Sequence, residues 1–166
     1  MKILLATDGS QHSKSVAEEI AHRPFPAGSE LRIISVYESP ALYIYAPFSM
    51  GGMENFYQEV ELTAKKAAKE AVETAAELIK TKNKTLLIST AVLEGDVKHT
   101  ILEDADTFNA DLILVGSHGR GGLERFLLGS VSQAIVLHAK CSVEIVRKRD
   151  QNTINNRMDD DLKNQK

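Results

Sequence analysis

The segment DLILVGSHGRGGLERFLLGS, residues 111–130, decides the reading of this chain. Residues 111–115 form an apolar run of strand length that empties directly into glycine. Two residues separate Gly116 from Gly119, and nine more lead to Gly129 and Ser130. Four glycines fall within residues 116–122, so the backbone there either takes positive φ or approaches another group closely. An apolar segment from Val131 to Leu137 follows, and a helix is expected over about 130–139. A helix start offers unpaired N–H groups and the positive end of a dipole, and Ser130 adds a hydroxyl. These are the parts of a phosphate site, to which a glycine turn adds a nest of amides. A flexible loop with Ser130 as an ordinary helix cap accounts for the same residues without a ligand.

The flanking sequence alternates strand and helix. Residues 2–7 are a short apolar run stopped by the turn cluster Asp8-Gly9-Ser10. Val16, Ala17, Ile20 and Ala21 have helical spacing over 11–22, with Ser10 or Ser13 as cap and Pro24 and Pro26 as terminators. Residues 31–37 read as a second strand. A long loop is expected over 38–55, with Pro40, Pro47, two glycines and several aromatics. A helix follows over 56–82, with Val60, Ala64, Ala67, Ala71, Ala75 and Leu78 as its inner stripe. Residues 85–93 make a third strand. Asp96 caps a helix whose inner face is Val97, Ile101, Ala105 and Phe108. Residues 111–115 are the fourth strand and 142–146 the fifth. Such alternation implies a parallel, doubly wound α/β sandwich with helices on both faces. Ligands of these sheets bind at the carboxyl ends of strands, where the strand order reverses. If strands one and four are neighbours there, Asp8 and Gly116 flank one crevice.

Composition bounds the rest. The chain has 166 residues and a net charge of −3, which suits one domain over 1–147 and disfavours a nucleic-acid or anionic-membrane binder. Residues 148–166 are polar and lack an apolar face, so a loosely attached tail is expected. Cys141 is the one cysteine, which excludes an internal disulfide framework and reads as a strand-edge residue in a cytoplasmic protein. The start of the chain does not have the form of a secretory signal. No Walker lysine, nucleophile elbow or glycine fingerprint after strand one is present. Arg120 and Arg125 can neutralise phosphate charge or sit on the surface. Asp8 can bond a nucleoside hydroxyl or amine, or simply form its turn. His118 is a ligand contact or a loop histidine, and the other four histidines lack metal-ligand spacing.

With these residues assembled, the chain resembles the universal stress protein family. The spacing G-x2-G-x9-G-S at Gly116, Gly119, Gly129 and Ser130 matches that family's ATP-binding signature, and KILLATDGS near the start and CSVEIVRK near residue 148 extend the likeness. The resemblance implies a five-stranded sheet in the order 3-2-1-4-5. It also implies a nucleotide site in which Ala6, Thr7 and Val92 line the base pocket and Val36 offers backbone groups to adenine. Asp8 lies near the nucleoside, Gly116 borders the ribose, and Gly119, Gly129, Ser130 and Val131 hold phosphates beside His118 and Arg120. ATP or another adenine nucleotide is the implied ligand, with Mg²⁺ held mainly by phosphates and water. A homodimer through the last strand is implied as well, although Lys140 and Ser142 stand where relatives often carry proline. The function expected on this basis is an ATP-binding, stress-response regulator that presents a nucleotide-dependent surface to a protein partner. A slow Mg²⁺-dependent ATPase and a nucleotide-independent scaffold are the alternatives.

Overall fold

The computed structural model describes residues 1–39, 54–119 and 128–147, with Glu54 described by its backbone alone. Most of the expected 38–55 loop, Arg120, Arg125 and the 148–166 tail lie outside these residues. The elements in chain order are β1 (Lys2–Ala6), α1 (Gln11–His22), β2 (Glu30–Tyr37), α2 (Glu54–Lys82) and β3 (Leu87–Glu94), then α3 (Val97–Phe108), β4 (Leu112–Gly116), α4 (Ser130–His138) and β5 (Ser142–Val146). All pairings are parallel and the sheet order is β3-β2-β1-β4-β5. The order implied by the family resemblance is therefore the observed one. The chain winds outward from β1 to β3, crosses back, and continues outward through β4 and β5. Its reversal falls between β1 and β4.

Local chemistry sets the helix ends. The Ser10 hydroxyl accepts from Ser13 N–H at the start of α1, and the extended Arg23 before Pro24 ends it. Asp96 caps α3 through His99 N–H at 2.9 Å. Asn109 closes that helix in the left-handed conformation (φ 56°), which asparagine tolerates better than most residues.

Two cores cover the sheet. On one face Val16, Ala17 and Ile20 of α1 and Val72, Ala76 and Ile79 of α2 pack over Ile3, Leu5, Ile33 and Leu114. On the other, Ile101 and Ala105 of α3 and Ile135 of α4 pack over Leu4, Ile34, Ile113 and Val115. The successive strand residues divide between the faces, as the pleat requires.

Three expectations shift. The inner stripe of α2 is Ala68, Ala71, Val72, Ala75, Ala76 and Ile79, whereas Val60 is 40% exposed and Ala64, Ala67 and Leu78 are only partly buried. A helix of 29 residues spans about 43 Å, far beyond an eight-residue strand of about 26 Å. Its first turns consequently overhang the sheet. Phe108 packs under cations rather than in the core, with Lys2 Nζ 5.1 Å and the Arg32 guanidinium 6.0 Å from the ring. Arg32 is in turn held by both oxygens of Asp104, at 2.7 and 2.8 Å. Cys141 is half-buried just before β5, and burial pushes its thiol up.

Candidate functional site

A cavity of about 390 Å³ opens at the carboxyl ends of β1 and β4, at the reversal of strand order. Ladder geometry creates it. β1–β4 pairing stops at Leu5↔Leu114, while β4–β5 pairing continues to Gly116↔Val146. The strands thus part above Leu5 and leave a cleft. On the other side of β1 the last rung is Thr7 N–H to Ile34 C=O at 2.9 Å, so Val36 lies past the end of the β1–β2 ladder.

Asp8 forms the β1 wall. Its Oδ1 accepts the Ser10 N–H at 3.0 Å in a tight Asx turn. Burial pushes the carboxyl up, but the hydroxyls of Ser10 and Ser13 and the Ser10 amide outweigh it and hold the group below the ordinary carboxylate range. The turn-forming and ligand-facing readings of Asp8 are therefore compatible: one oxygen organises the turn at the lip of the cavity that the residue lines.

Close approach, not positive φ, accounts for the described glycines of the signature. Gly116, Gly119 and Gly129 all have φ outside the left-handed region. A Cβ on Gly119 would stand 2.9 Å from Asp8 Oδ2, and one on Gly116 3.0 Å from the His12 carbonyl carbon. A Cβ on Gly129 would press at 3.3 Å on both Ser117 O and the His118 backbone. Gly129 N–H donates to Ser117 C=O at 2.8 Å, and Ser117 N–H donates to Val146 C=O at 3.1 Å. The two ends of the glycine segment are thereby clamped together at the tip of β4.

α4 starts inside this clamp. Gly129 is its N-cap and makes no side-chain cap bond, so Ser130 is the first helical residue and not the cap of the ligand-free alternative. The first amide to bond within the helix is Gln133, to Gly129 C=O. The N–H groups of Ser130, Val131 and Ser132 have no intrahelical acceptor and stand at the cavity wall.

Of the residues expected to meet a nucleotide, Ala6, Thr7, Asp8, Val36, Gly116, His118, Gly119, Gly129, Ser130 and Val131 line this one cavity. Val92 does not: it packs against the α1–α2 core on the far side of the sheet, while its neighbours Ala91 and Leu93 face the α3–α4 core. The expectation chose the wrong phase in a stretch, Ala91-Val92-Leu93, that is apolar on both faces. Arg120 lies outside the described residues. His118 Nδ1 is 3.2 Å from Ser117 Oγ, its ring centroid is 5.3 Å from that of His12, and its Nε2 is shielded without a hydrogen-bond partner among the described residues.

Sequence reasoning missed the cavity's apolar floor, Ile34, Val97, Ile101 and Val115, together with Ser13 and Ser132. Ile34 and Val36 sit two apart on β2, and Val97 and Ile101 four apart on α3. That spacing was visible, but its end at a cavity was not. The floor takes a flat apolar body, and Asp8, the serines and the α4 amides supply polar partners around one rim. Among the described residues no cluster of three or more His, Cys, Asp or Glu side chains is arranged to hold a metal, and Asp8 is the one carboxylate lining the cavity.

A doubly wound parallel sheet with a glycine-walled cleft at its point of reversal defines the fold class and the candidate site of this protein. The sequence profile of the universal stress protein family matches residues 1–147, and the chain belongs to that family. It is 31% identical over 147 residues to universal stress protein MJ0531 of Methanocaldococcus jannaschii, covering 89% of this chain and 82% of that one. It is 34% identical over 141 residues to universal stress protein A homolog 1 of Coxiella burnetii, covering 85% and 92%. Among solved structures, hypothetical protein MJ0577 superposes with a TM-score of 0.76 at 21% identity, covering 90% of this chain and 97% of that one. Two further neighbours of the same fold were solved with ligands. A universal stress protein complex contains cAMP (TM-score 0.57, 23% identity, 89% and 96% covered), and an Arabidopsis thaliana family member has AMP bound (TM-score 0.64, 18% identity, 92% and 95% covered). Among the described residues no helix is long and apolar enough to cross a membrane.

Proposed function

We propose that this protein binds an adenine nucleotide, ATP above all, in the β1–β4 cleft and acts as a nucleotide-dependent regulator of the stress-response type. The observation that carries the reading is the clamp at Gly116, Gly119 and Gly129. It sets three α4 amides that lack an intrahelical acceptor beside Asp8 across a cavity with an apolar floor. The α4 amides suit phosphates, the floor and Val36 suit adenine, and Asp8 suits a ribose hydroxyl. The AMP and cAMP held by structural neighbours support an adenine nucleotide as the class of ligand. With a single carboxylate among the described lining residues, Mg²⁺ would travel with the phosphates and water rather than with a protein cage.

Titration calorimetry with Mg²⁺-ATP, AMP and adenosine tests this reading. Saturable binding, weakened by Gly119→Val, is expected; no saturation at millimolar nucleotide sinks it. Nucleotide carried through purification and detected by mass spectrometry would identify the cellular ligand.

The regulatory part of the proposal adds a homodimer through β5 and an unidentified protein partner. β5 is an outer strand of the sheet, and an open edge favours pairing with a second copy.

A further inference from the structure

We infer that Ser132 is a positioning residue for the phosphate-binding end of the cleft, a role that rests on the nucleotide reading above. Ser132 is 4% exposed, unusually buried for a serine, and lies in the first turn of α4. Its hydroxyl donates to the Gly116 carbonyl at 2.6 Å, a bond that spans 16 residues of chain and ties α4 to the tip of β4.

Two consequences follow from that bond. First, Gly129 N–H to Ser117 C=O ties the start of α4 to β4 at one point, and Ile135 anchors the helix to the core further along, which leaves the aim of its first turn to be set. The Ser132 bond adds a second point one turn further on. Two points fix the direction in which the Ser130, Val131 and Ser132 amides aim, and these amides have no partner inside the helix. Second, Gly116 lies above the last β1–β4 rung, Leu5↔Leu114, where β1 no longer pairs with β4. Without the Ser132 proton its carbonyl would present an unsatisfied lone pair beside the place where an anion is to sit. The hydroxyl thus aims three donors at the ligand and occupies an acceptor that would repel it. Neither effect touches the apolar floor that would receive the base, so Ser132 acts on the phosphate contribution to affinity and not on the nucleoside contribution.

The experiment compares ATP with adenosine by calorimetry on the full chain, in the wild type, Ser132→Ala and Ser132→Thr. The expected result is a loss of at least tenfold in ATP affinity for Ser132→Ala, with adenosine affinity within twofold of wild type. Ser132→Thr, which keeps the donor, should return ATP affinity to within threefold. Unchanged ATP affinity in Ser132→Ala overturns the inference, and so does an equal loss for ATP and adenosine, which a general loosening of the fold would give. Should Ser132→Ala fail to fold, Ser132→Cys, similar in volume but a weak donor, is judged by the same ratio. A wild type that binds neither ligand overturns the nucleotide reading and this role with it. A wild type that binds while the Ser132→Ala ratio is unmoved overturns the role of Ser132 alone.

Discussion

At the scale of single residues, Asp8 is the most constrained group in the cleft. Its carboxylate serves the Ser10 turn at one oxygen and faces Gly119 at the other, where a side chain has no room. Gly119→Val should force Asp8 aside and weaken nucleotide binding at least tenfold, about 1.4 kcal/mol, with the thermal midpoint nearly unchanged because the site is a partly open rim. Asp8 also leaves a signature in acid. Its folded pKa lies below the unfolded value, so its stabilisation is fully present above about pH 3.9 and is lost as pH falls through the lower folded value. The stability difference between wild type and Asp8→Asn, followed by urea unfolding, should be flat from pH 5 to 7 and shrink below pH 4. Gly116, Gly119 and Gly129 were legible as a phosphate signature because their spacing is rigid in sequence. Ser132 was not, since a serine three residues after Gly129 looks like any polar interruption of a helix, and its partner lies 16 residues away.

At the scale of elements, capping and periodicity made α1 and α3 readable almost to the residue. Ser10 and Asp96 announce both starts, and Pro24 closes one end. α2 was misread in phase for a physical reason. Alanine occupies positions 64, 67, 68, 71, 75 and 76, two adjoining stripes, and so small a side chain barely tells the helix which stripe to bury. Packing of Val72 and Ile79 makes the choice. Ile79→Ala, at a fully buried position, should cost about 2–5 kcal/mol in chemical unfolding, while Val60→Ser on the overhanging turns should stay within about 0.5 kcal/mol of wild type. Equal costs at the two sites would contradict the observed register. Val92 was assigned to the wrong face for the same reason, because β3 reads Ala91-Val92-Leu93 with no polar residue to mark a face.

At the scale of the whole molecule, the fold class followed from strand–helix alternation, whereas the strand order needed the resemblance, because alternation alone leaves open on which side of β1 the fourth strand returns. The order governs function, since it puts the cleft beside β4 and β4 beside the outer strand β5. Ser142 N–H and Val146 C=O both bond toward β4, so the pleat turns the Val143 and Ile145 amides to the open edge. If β5 pairs with a second copy, sedimentation should give twice the 18.3 kDa of one chain. Val143→Pro, which removes an outward N–H while leaving the β4 ladder its bonds, should return the mass to one chain with the far-ultraviolet circular dichroism retained. A wild type that sediments as a single chain would remove the dimer from the proposal. The clamp at the tip of β4 bears finally on the order in which the site assembles. Gly129 reaches Ser117 over a short stretch of chain, but Ser117 in turn donates to the Val146 carbonyl at the end of β5. The phosphate wall is therefore tied to the last strand and is complete only once β5 has joined the sheet.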